Sequence, residues 1–359
     1  MRATQVFIDL TALRHNLACA RAAAPASCIL AAIKANAYGH GMLRVAQALS
    51  EADAFGVASL AEALQLREAG ISQPVVLLEG FFAAAELPVI AQYAFIPAIH
   101  DHSQIEQLEQ CVLPAPVDVW LKLDSGMHRL GFPLVEAKEV WQRLNACRNV
   151  RRVLGCMTHL ANADNLNDDF TARQLADFAH LTEGLSGGRS IANSAGLLGW
   201  PGSHAEWVRP GLMLYGVSPL LGGRAEQHGL KPVMTLRSAL IAVKHLKQGD
   251  AIGYGGVFVC PQDMPVGVVA AGYGDGYPRH ARNGVPVLLN NRRVPLIGQV
   301  AMDMLTVDLR SQPEARVGDP VVLWGEGLPV EEIAEHAGTI PYELLCRVMP
   351  RVKVVENGI

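Results

Sequence analysis

Hydrophobic and polar positions follow a repeating pattern over the first two thirds of the chain. Short apolar runs, typical of buried strands, are followed by stretches with helical periodicity, such as residues 60–69 and 135–147. Eight such runs occur between residues 28 and 211: CILAAIK, AFGVAS, PVVLLEG, FIPAIH, VDVWLKLD, RVLGCMTHL, RSIANS and EWVRPG. Eight strands that alternate with helices predict an α/β fold, a (β/α)8 barrel of the TIM type.

The two ends of the chain depart from this pattern. QVFIDL predicts a strand, and TALRHNLACARAAA predicts a helix with Thr11 as its N-cap. From about residue 231 helical periodicity fades, and Gly and Pro separate short strands. In LLNNRRVP, Asn290 and Asn291 suit the tight turn of a hairpin. We therefore expect a barrel over residues 11–231 and a second, mostly β domain over residues 232–359.

Composition and charge narrow the class of protein. Half of the 359 residues are hydrophobic and 18% are charged, which is typical of a globular chain. The net charge of -4 favours neither nucleic acid nor an anionic membrane as a partner. No apolar run is long enough for a membrane helix, and Asp9 interrupts the apolar start of the chain, so we expect a cytoplasmic protein. The seven cysteines lack CxxC spacing, so we expect no metal site.

Polar residues collect where the predicted strands end. Lys34 ends the first barrel strand and precedes ANAYGHG, which we expect to be a flexible polar turn. KLDSGMHR follows the fifth strand, THLANAD the sixth, NSAG the seventh and RPG the eighth. Barrel chemistry takes place at this face. Alternation along VDVWLKLD points Lys122 and Asp124 inward near the mouth, either as a structural ion pair or as part of a functional site.

Lys34 and two later loops suggest a particular chemistry. A lysine at a strand end can form a Schiff base, although a surface lysine with its amine in water would look the same. Loops after the seventh and eighth barrel strands often bind phosphate through backbone N–H groups. Ser194 and Gly211 lie in those loops, although two ordinary glycine turns are an alternative. A Schiff-base lysine together with a phosphate cradle describes a pyridoxal phosphate site.

Six motifs carry a family resemblance along nearly the whole chain. In order, IKANAYGHG, LDSGMHRLGF, WVRPGLMLYG, GYGGVF, GYGDGYPR and VAMDM resemble the alanine racemase family. The resemblance implies a barrel with a β domain that the N-terminal strand joins, which groups residues 1–10 with 232–359. It also implies pyridoxal phosphate as cofactor, an amino acid as substrate, and a homodimer with shared active sites. The implied reaction interconverts L-alanine and D-alanine, for peptidoglycan or for alanine catabolism.

The same resemblance implies roles for individual residues. Lys34 would bind the cofactor and act as one catalytic base, and Tyr254 of the partner subunit would be the second. The implied cofactor contacts are Tyr38, Ser194, Gly211 and Leu212 at the phosphate, Arg209 at the pyridine nitrogen and Arg129 at the phenolic oxygen, with His159 supporting the second base. Met302 and Asp303 would lie near the substrate carboxylate and Tyr273 at the site entrance, and Lys122 matches a lysine that some members carbamylate. From the residues alone, the preferred interpretation of Tyr254 is a strand tyrosine with a satisfied hydroxyl.

The chain departs from the family pattern at one position, and the residue type at another position bears on the reaction. Some members carry a C-terminal tyrosine at the phosphate, and the resemblance places Pro350 at that position, so we expect no phosphate contact from the last twenty residues. Arg209 is always protonated and can only donate, so a pyridine nitrogen facing it would stay unprotonated. That discourages side reactions and fits a proton transfer between two bases on opposite faces of the substrate.

Three other functions fit parts of the pattern. A barrel-type amino-acid decarboxylase is disfavoured by Arg209, since decarboxylation benefits from a protonated ring. A non-catalytic cofactor carrier would not need GYGG or VAMDM. A sugar-phosphate enzyme would use Lys34 as its own Schiff base without a cofactor. The sequence also leaves open activity on serine or other amino acids.

Overall fold

The computed structural model describes residues 2–358 of the chain, and its first part is a closed barrel of parallel strands. After strand β1 (Gln5–Asp9), which belongs to a second sheet, come β2 (Cys28–Ala32), β3 (Ala54–Val57), β4 (Val75–Leu77), β5 (Ile96–Ile99), β6 (Val117–Asp124), β7 (Phe132–Pro133), β8 (Val150–Met157), β9 (Gly188–Ser190) and β10 (Trp207–Val208). The order is β5-β4-β3-β2-β10-β9-β8-β6, and β5 also pairs with β6, which closes the ring. The predicted barrel is confirmed, and each of its eight strands comes from one of the predicted runs.

Apolar side chains fill the barrel below its mouth. The interior cluster consists of Leu30, Ala54, Val76, Ala98, Trp120 and Met157. On β6, Val119 and Leu121 alternate with Trp120 and join the larger core outside the ring. Because the lower interior is packed with these side chains, polar groups on the inward faces are confined to the mouth.

Helices surround the barrel, and the last two, which are short, belong to the C-terminal part. In chain order the helices are α1 (Leu10–Ala23), α2 (Lys34–Tyr38), α3 (Met42–Ala48), α4 (Leu60–Glu68), α5 (Leu87–Gln92), α6 (His102–Gln110), α7 (Ala137–Ala146), α8 (Phe170–Leu181), α9 (Ser194–Gly199), α10 (Val330–Ala337) and α11 (Pro341–Cys346). Along residues 2–358 we find none with the length and apolarity to cross a membrane.

The N-cap of the first helix lies two residues earlier than its sequence predicts. Asp9 is the N-cap of α1, because its Oδ1 accepts hydrogen bonds from the backbone N–H groups of Thr11 (2.8 Å) and Ala12 (2.9 Å). The predicted Thr11 cap is therefore wrong. The last residue of β1 carries a carboxylate that reaches the amides of the first turn, so the strand passes directly into the helix.

A second sheet follows the barrel. Its strands after β1 are β11 (Met234–Leu246), β14 (Met264–Val269), β15 (Pro286–Leu289), β16 (Arg292–Ile297), β17 (Leu305–Asp308), β18 (Pro320–Trp324) and β19 (Lys353–Asn357), and β12 (Ala251–Ile252) and β13 (Phe258–Val259) form a separate ribbon. β1 pairs antiparallel with β11 and parallel with β19. The predicted hairpin is confirmed, since Asn290 (φ 49°) and Asn291 (φ 61°) form the turn between β15 and β16.

Candidate functional site

The segment after β2 holds Lys34 at the barrel mouth on a left-handed turn. The four residues that follow Lys34 are not glycine, yet their φ angles lie between 52° and 54°. The left-handed conformation costs roughly 1–2 kcal/mol per residue. Hydrogen bonds hold it: Ala35 N donates to Glu62 Oε1 (2.8 Å), and Met42 N donates to Asn36 Oδ1 (2.9 Å). The expectation of a flexible turn is wrong, because this turn is tightly bonded.

His40 supports the same turn from beneath. Its side chain is fully buried, and its ring lies 4.5 Å from that of Tyr215. Nδ1 lies 3.0 Å from the carbonyl oxygen of Ala37 and 2.9 Å from that of Tyr38. Carbonyl oxygens only accept, so Nδ1–H is the donor. Burial lowers the pKa of His40 to about 4, and the neutral ring therefore holds the left-handed turn in place at neutral pH.

Two further loops meet beside Tyr38. Ser194 begins α9, and its buried Oγ accepts from the backbone N–H groups of Gly211 (2.8 Å) and Met213 (3.3 Å). A Cβ at Gly211 would lie 2.6 Å from Tyr38 Oη, so only glycine fits there. Leu212 lies in the same loop and lines the same cavity. Backbone donors that converge on an oxygen in this way suit an anion.

Arg209 lies between these loops and is fixed by its neighbours. Nη1 donates to the backbone oxygen (2.6 Å) and the hydroxyl (2.7 Å) of Ser190, and Nη2 donates to the carbonyls of Thr158 and Ile191. Burial lowers the pKa of Arg209 to about 10, which leaves it charged at neutral pH. Nη2 also lies 3.5 Å from His159 Nδ1. Burial, and then the charge of Arg209, hold the pKa of His159 well below its usual range, so this ring is a neutral acceptor.

Lys122 enters the mouth from β6. It shares the inward face with Trp120, two residues earlier, and its Nζ donates to the carbonyl oxygen of Leu78 at 3.3 Å. Burial, followed by the positive charges of Arg209 and Arg129, lowers the pKa of Lys122 to about 8. An appreciable fraction of this amine is therefore neutral near pH 8.

The structural ion pair considered for β6 does not form. Asp124 Oδ1 accepts from the backbone N–H groups of Gly126 (2.9 Å) and His128 (3.0 Å), and Oδ2 lies 3.1 Å from His128 Nδ1. These bonds turn the Asp124 carboxylate toward its own loop. Lys122 is left without an ion-pair partner in the described part of the chain.

A cavity of about 690 Å³ joins these groups at the barrel mouth. The predicted site residues that line it are Lys34, Tyr38, Lys122, Arg129, His159, Ser194, Arg209, Gly211 and Leu212. Four of them carry positive charge. Among the described residues that line the cavity, the one carboxylate is Glu79, whose Oε1 lies 3.8 Å from Lys34 Nζ. This balance favours an anionic ligand.

Three ionisable residues that line the cavity were missed from the sequence: Glu79, Tyr342 and Cys346. The ring of Tyr342 lies 5.8 Å from that of Tyr38. Placing the C-terminal tyrosine at Pro350 is therefore wrong, because a tyrosine eight residues earlier lines the cavity. The available signal was IPYELLC, in which a proline at the first helical position marks a helix start and fixes Tyr342 there.

The other four predicted residues lie outside this cavity, on what we call the exposed patch: Tyr254, Tyr273, Met302 and Asp303. The exposed fraction is 71% for Tyr254, 53% for Met302 and 37% for Tyr273. Two backbone bonds join the loop of Tyr273 to that of Met302 and Asp303, since Tyr273 N donates to Ala301 O (3.0 Å) and Gly274 N donates to Met302 O (2.9 Å). A single chain therefore joins Tyr273, Met302 and Asp303 in one unit but does not bring Tyr254 into the cavity of Lys34.

The cavity alone can perform part of a reaction. The Lys34 amine can bind a carbonyl compound, and the loops at Ser194 and Gly211 can hold its anionic group. Arg209 presents a fixed positive charge, and His159 is neutral. The Lys34 amine can also take a proton from a substrate, and Tyr254, the predicted second base, does not line this cavity.

The known proteins and family models that match this chain all point to one family. The family described as "Alanine racemase, N-terminal domain" matches residues 8–219, and "Alanine racemase, C-terminal domain" matches residues 233–356. An alanine racemase of Coxiella burnetii is 50% identical over 355 residues, and one of Shewanella baltica is 53% identical over 347, with 97% of each chain covered in both cases. The biosynthetic alanine racemase of Pseudomonas aeruginosa superposes with a TM-score of 0.97, at 44% identity and full coverage of both chains.

Proposed function

The chain belongs to the alanine racemase family and interconverts L-alanine and D-alanine, and we propose that it does so with two bases, Lys34 and Tyr254 of the partner subunit. The observation that carries this proposal is the split between the two residues. Lys34 lines the cavity at the barrel mouth, and Tyr254 is 71% exposed on the other part of the chain. The family assignment excludes a decarboxylase, a cofactor carrier and a sugar-phosphate enzyme.

The cavity fits pyridoxal phosphate, which we propose as the cofactor. Backbone N–H groups of Gly211 and Met213 already converge on an oxygen, the Ser194 hydroxyl, and a side chain at Gly211 would clash with Tyr38. Four cations surround a single carboxylate, which suits a ligand that carries a phosphate. Lys34 would carry the aldehyde carbon, and Tyr38, Ser194, Gly211 and Leu212 would hold the phosphate. Arg209 would face the ring nitrogen and Arg129 the phenolic oxygen.

The residues of the chain divide the remaining work. Pyridoxal phosphate supplies an electron sink that makes the α-proton of alanine removable. Lys34 Nζ takes or returns that proton on one face of the substrate, and Tyr254 Oη does so on the other. Arg209 donates only, so it leaves the ring nitrogen unprotonated and restrains side reactions. His159, which lies beside Arg209, would support Tyr254 of the partner subunit as the second base.

The exposed patch supplies the rest of the site in a homodimer. In a two-fold dimer the same patch of each chain can cover the barrel mouth of the other. Met302 and Asp303 would then lie near the substrate carboxylate and Tyr273 at the entrance. This arrangement would place the four exposed side chains over the barrel mouth of the other chain and would supply each cavity with its second base.

The proposal also covers Lys122 and the setting of the enzyme. Its lowered pKa, about 8, makes Lys122 a suitable amine for carbamylation, and the carbamate would steady Arg129.

We propose a barrel domain over residues 11–231 and a β domain over residues 232–359 with 1–10, which follows the two family matches closely. We also propose that the enzyme is cytoplasmic and serves peptidoglycan synthesis or alanine catabolism.

Two measurements on the purified enzyme test this function. Incubation with L-alanine, and separately L-serine, followed by chiral analysis should show racemisation of alanine. Borohydride reduction and peptide mapping should place a single pyridoxyl group on Lys34. An adduct on Lys122, or a colourless protein that forms no adduct, would refute the cofactor assignment.

A further inference from the structure

A closed network of four charged residues lies directly behind the exposed patch: Arg2, Asp275, Asp303 and Arg351. The central member is Asp275, whose side chain is fully buried. Its Oδ2 accepts from Arg2 Nη2 at 2.6 Å, and its Oδ1 accepts from Arg351 Nε at 2.9 Å. A buried carboxylate is costly unless it is paired, and here two guanidinium groups pair with it.

Both arginines also hold the segment that carries Met302 and Asp303. Arg2 donates to the backbone oxygen of Asp303 (2.9 Å) and to its Oδ1 (3.3 Å). Arg351 Nη2 lies 2.8 Å from Asp303 Oδ1 and donates to the backbone oxygen of Met302 at 3.3 Å. Asp275 thus fixes both guanidinium groups, which both hold Asp303, and Arg351 also holds the backbone of Met302.

Asp275 also orders the neighbouring turn. Its Oδ2 accepts from Gly272 N at 3.0 Å, at the start of the turn that contains Tyr273. Gly274 N donates to Met302 O, so this turn and the Met302 segment are built as one unit. Within residues 2–358 the backbone N–H groups of Met302 and Asp303 make no hydrogen bond, and the segment leaves them free to bind an incoming anion.

We propose that Asp275 is a positioning residue for the substrate. Through Arg2 and Arg351 it holds the Met302–Asp303 segment so that the free backbone N–H groups meet the carboxylate of the amino acid in the partner's cavity. The two arginines also offset the charge of Asp303, which would otherwise repel that carboxylate. This inference rests on the proposed function, because it assumes that the patch covers a partner's site.

The test uses the holoenzyme of Asp275→Asn, which keeps the shape of the side chain and removes its charge. We expect the KM for alanine and the inhibition constant of propionate, a carboxylate without an amine, to rise about tenfold, with kcat changed less. Amide hydrogen exchange should quicken in segments 272–276 and 300–304. The control is Asp263→Asn, which removes an exposed carboxylate paired with Lys247 in the same part of the chain and should change none of these.

Arg351 provides a second route if Asp275→Asn folds poorly, because its side chain is 39% exposed. Arg351→Ala should reproduce the rise in KM, and Arg351→Lys should lie between it and the wild type, since lysine keeps the charge but lacks the fork. Unchanged exchange, or faster exchange with unchanged KM and propionate binding, would overturn the proposal. A wild-type enzyme without racemase activity would instead refute the proposed function, and propionate binding and exchange would still decide the role of the network.

Discussion

The barrel mouth and the exposed patch hold their functional groups in opposite ways. At the mouth Ser194 is 3% exposed and Arg209 is 7% exposed, and both are fixed by hydrogen bonds. On the patch Tyr254 is 71% exposed and Met302 is 53% exposed, although the loops of Tyr273 and Met302 are bonded to one another. The mouth is a site that one chain builds by itself. The patch is uncovered, and its side chains can contact a substrate only when another protein surface covers them.

The two regions also differ in the energetic cost of placing their functional groups. Burial at the mouth lowers the pKa values of Lys122 and His159, so both groups lose their protons at a lower pH than they would in water. Exposed side chains of the patch carry no such cost. Substitutions at the mouth should therefore change stability, pH dependence and activity together, and substitutions on the patch should change activity alone.

The largest effect is expected at Arg209. In Arg209→Glu the ring nitrogen of the cofactor can be protonated, and the fixed donor of the mouth is lost. We expect racemisation to slow about a hundredfold or more, and transamination to rise. Chiral analysis of alanine beside an assay for pyruvate measures both, with Arg209→Lys as the control that keeps the charge. An unchanged rate and product profile would contradict the electronic role of Arg209.

Lys122 should give an intermediate effect. Lys122→Ala removes the amine whose carbamate we propose to steady Arg129, so we expect a loss of about tenfold in kcat/KM. Because its pKa is about 8, the neutral amine that reacts with carbon dioxide grows as pH rises through 8. Rescue of the variant by added acetate would indicate a carbamate in the wild type. Full activity of Lys122→Ala without any addition would make the residue merely structural.

Much of the mouth could be predicted because its residues obey local rules. Eight apolar runs gave the strands, and strand ends gave Lys34, Ser194 and Arg209 as neighbours. The inward position of Lys122 followed from alternation along β6. Asn290 and Asn291 gave their hairpin because few residues adopt positive φ readily. These features depend on residues close together in the chain.

The rest depends on contacts that the chain pattern does not carry. Four non-glycine residues after Lys34 adopt positive φ because Glu62 and His40, from elsewhere in the fold, hold them there. Tyr342 reaches the cavity because α11 packs against α2, far away in sequence. The network around Asp275 joins residue 2 to residue 351. Periodicity cannot predict such pairings.

One effect is expected on stability rather than on activity, at His40. Its pKa of about 4 lies below the unfolded value near 6.5, so between these pH values the unfolded chain binds more protons than the folded one. Stability should therefore fall as pH falls from 6.5 toward 4, by up to about 3 kcal/mol. Urea unfolding at pH 7 and pH 4.5 measures the loss.

Three variants separate the effect of His40 from the general effect of acid. His40→Gln keeps a donor but does not titrate, so its stability should change less between the two pH values. Substitution of the exposed His280 by glutamine should leave the loss as in the wild type. Tyr254→Phe, on the exposed patch, should keep wild-type stability at both pH values within about 0.5 kcal/mol. An equal acid loss in His40→Gln would contradict the role of His40.

The most direct test of the shared site is subunit complementation. Lys34→Ala and Tyr254→Phe should each be nearly inactive as homodimers. When equal amounts are unfolded and refolded together, random assortment makes about half of the dimers mixed. Each mixed dimer holds one site with both lesions and one intact site, so about a quarter of wild-type activity should return. No recovery, with mixed dimers shown to be present, would contradict the account and place Tyr254 in the same chain's site or outside the reaction.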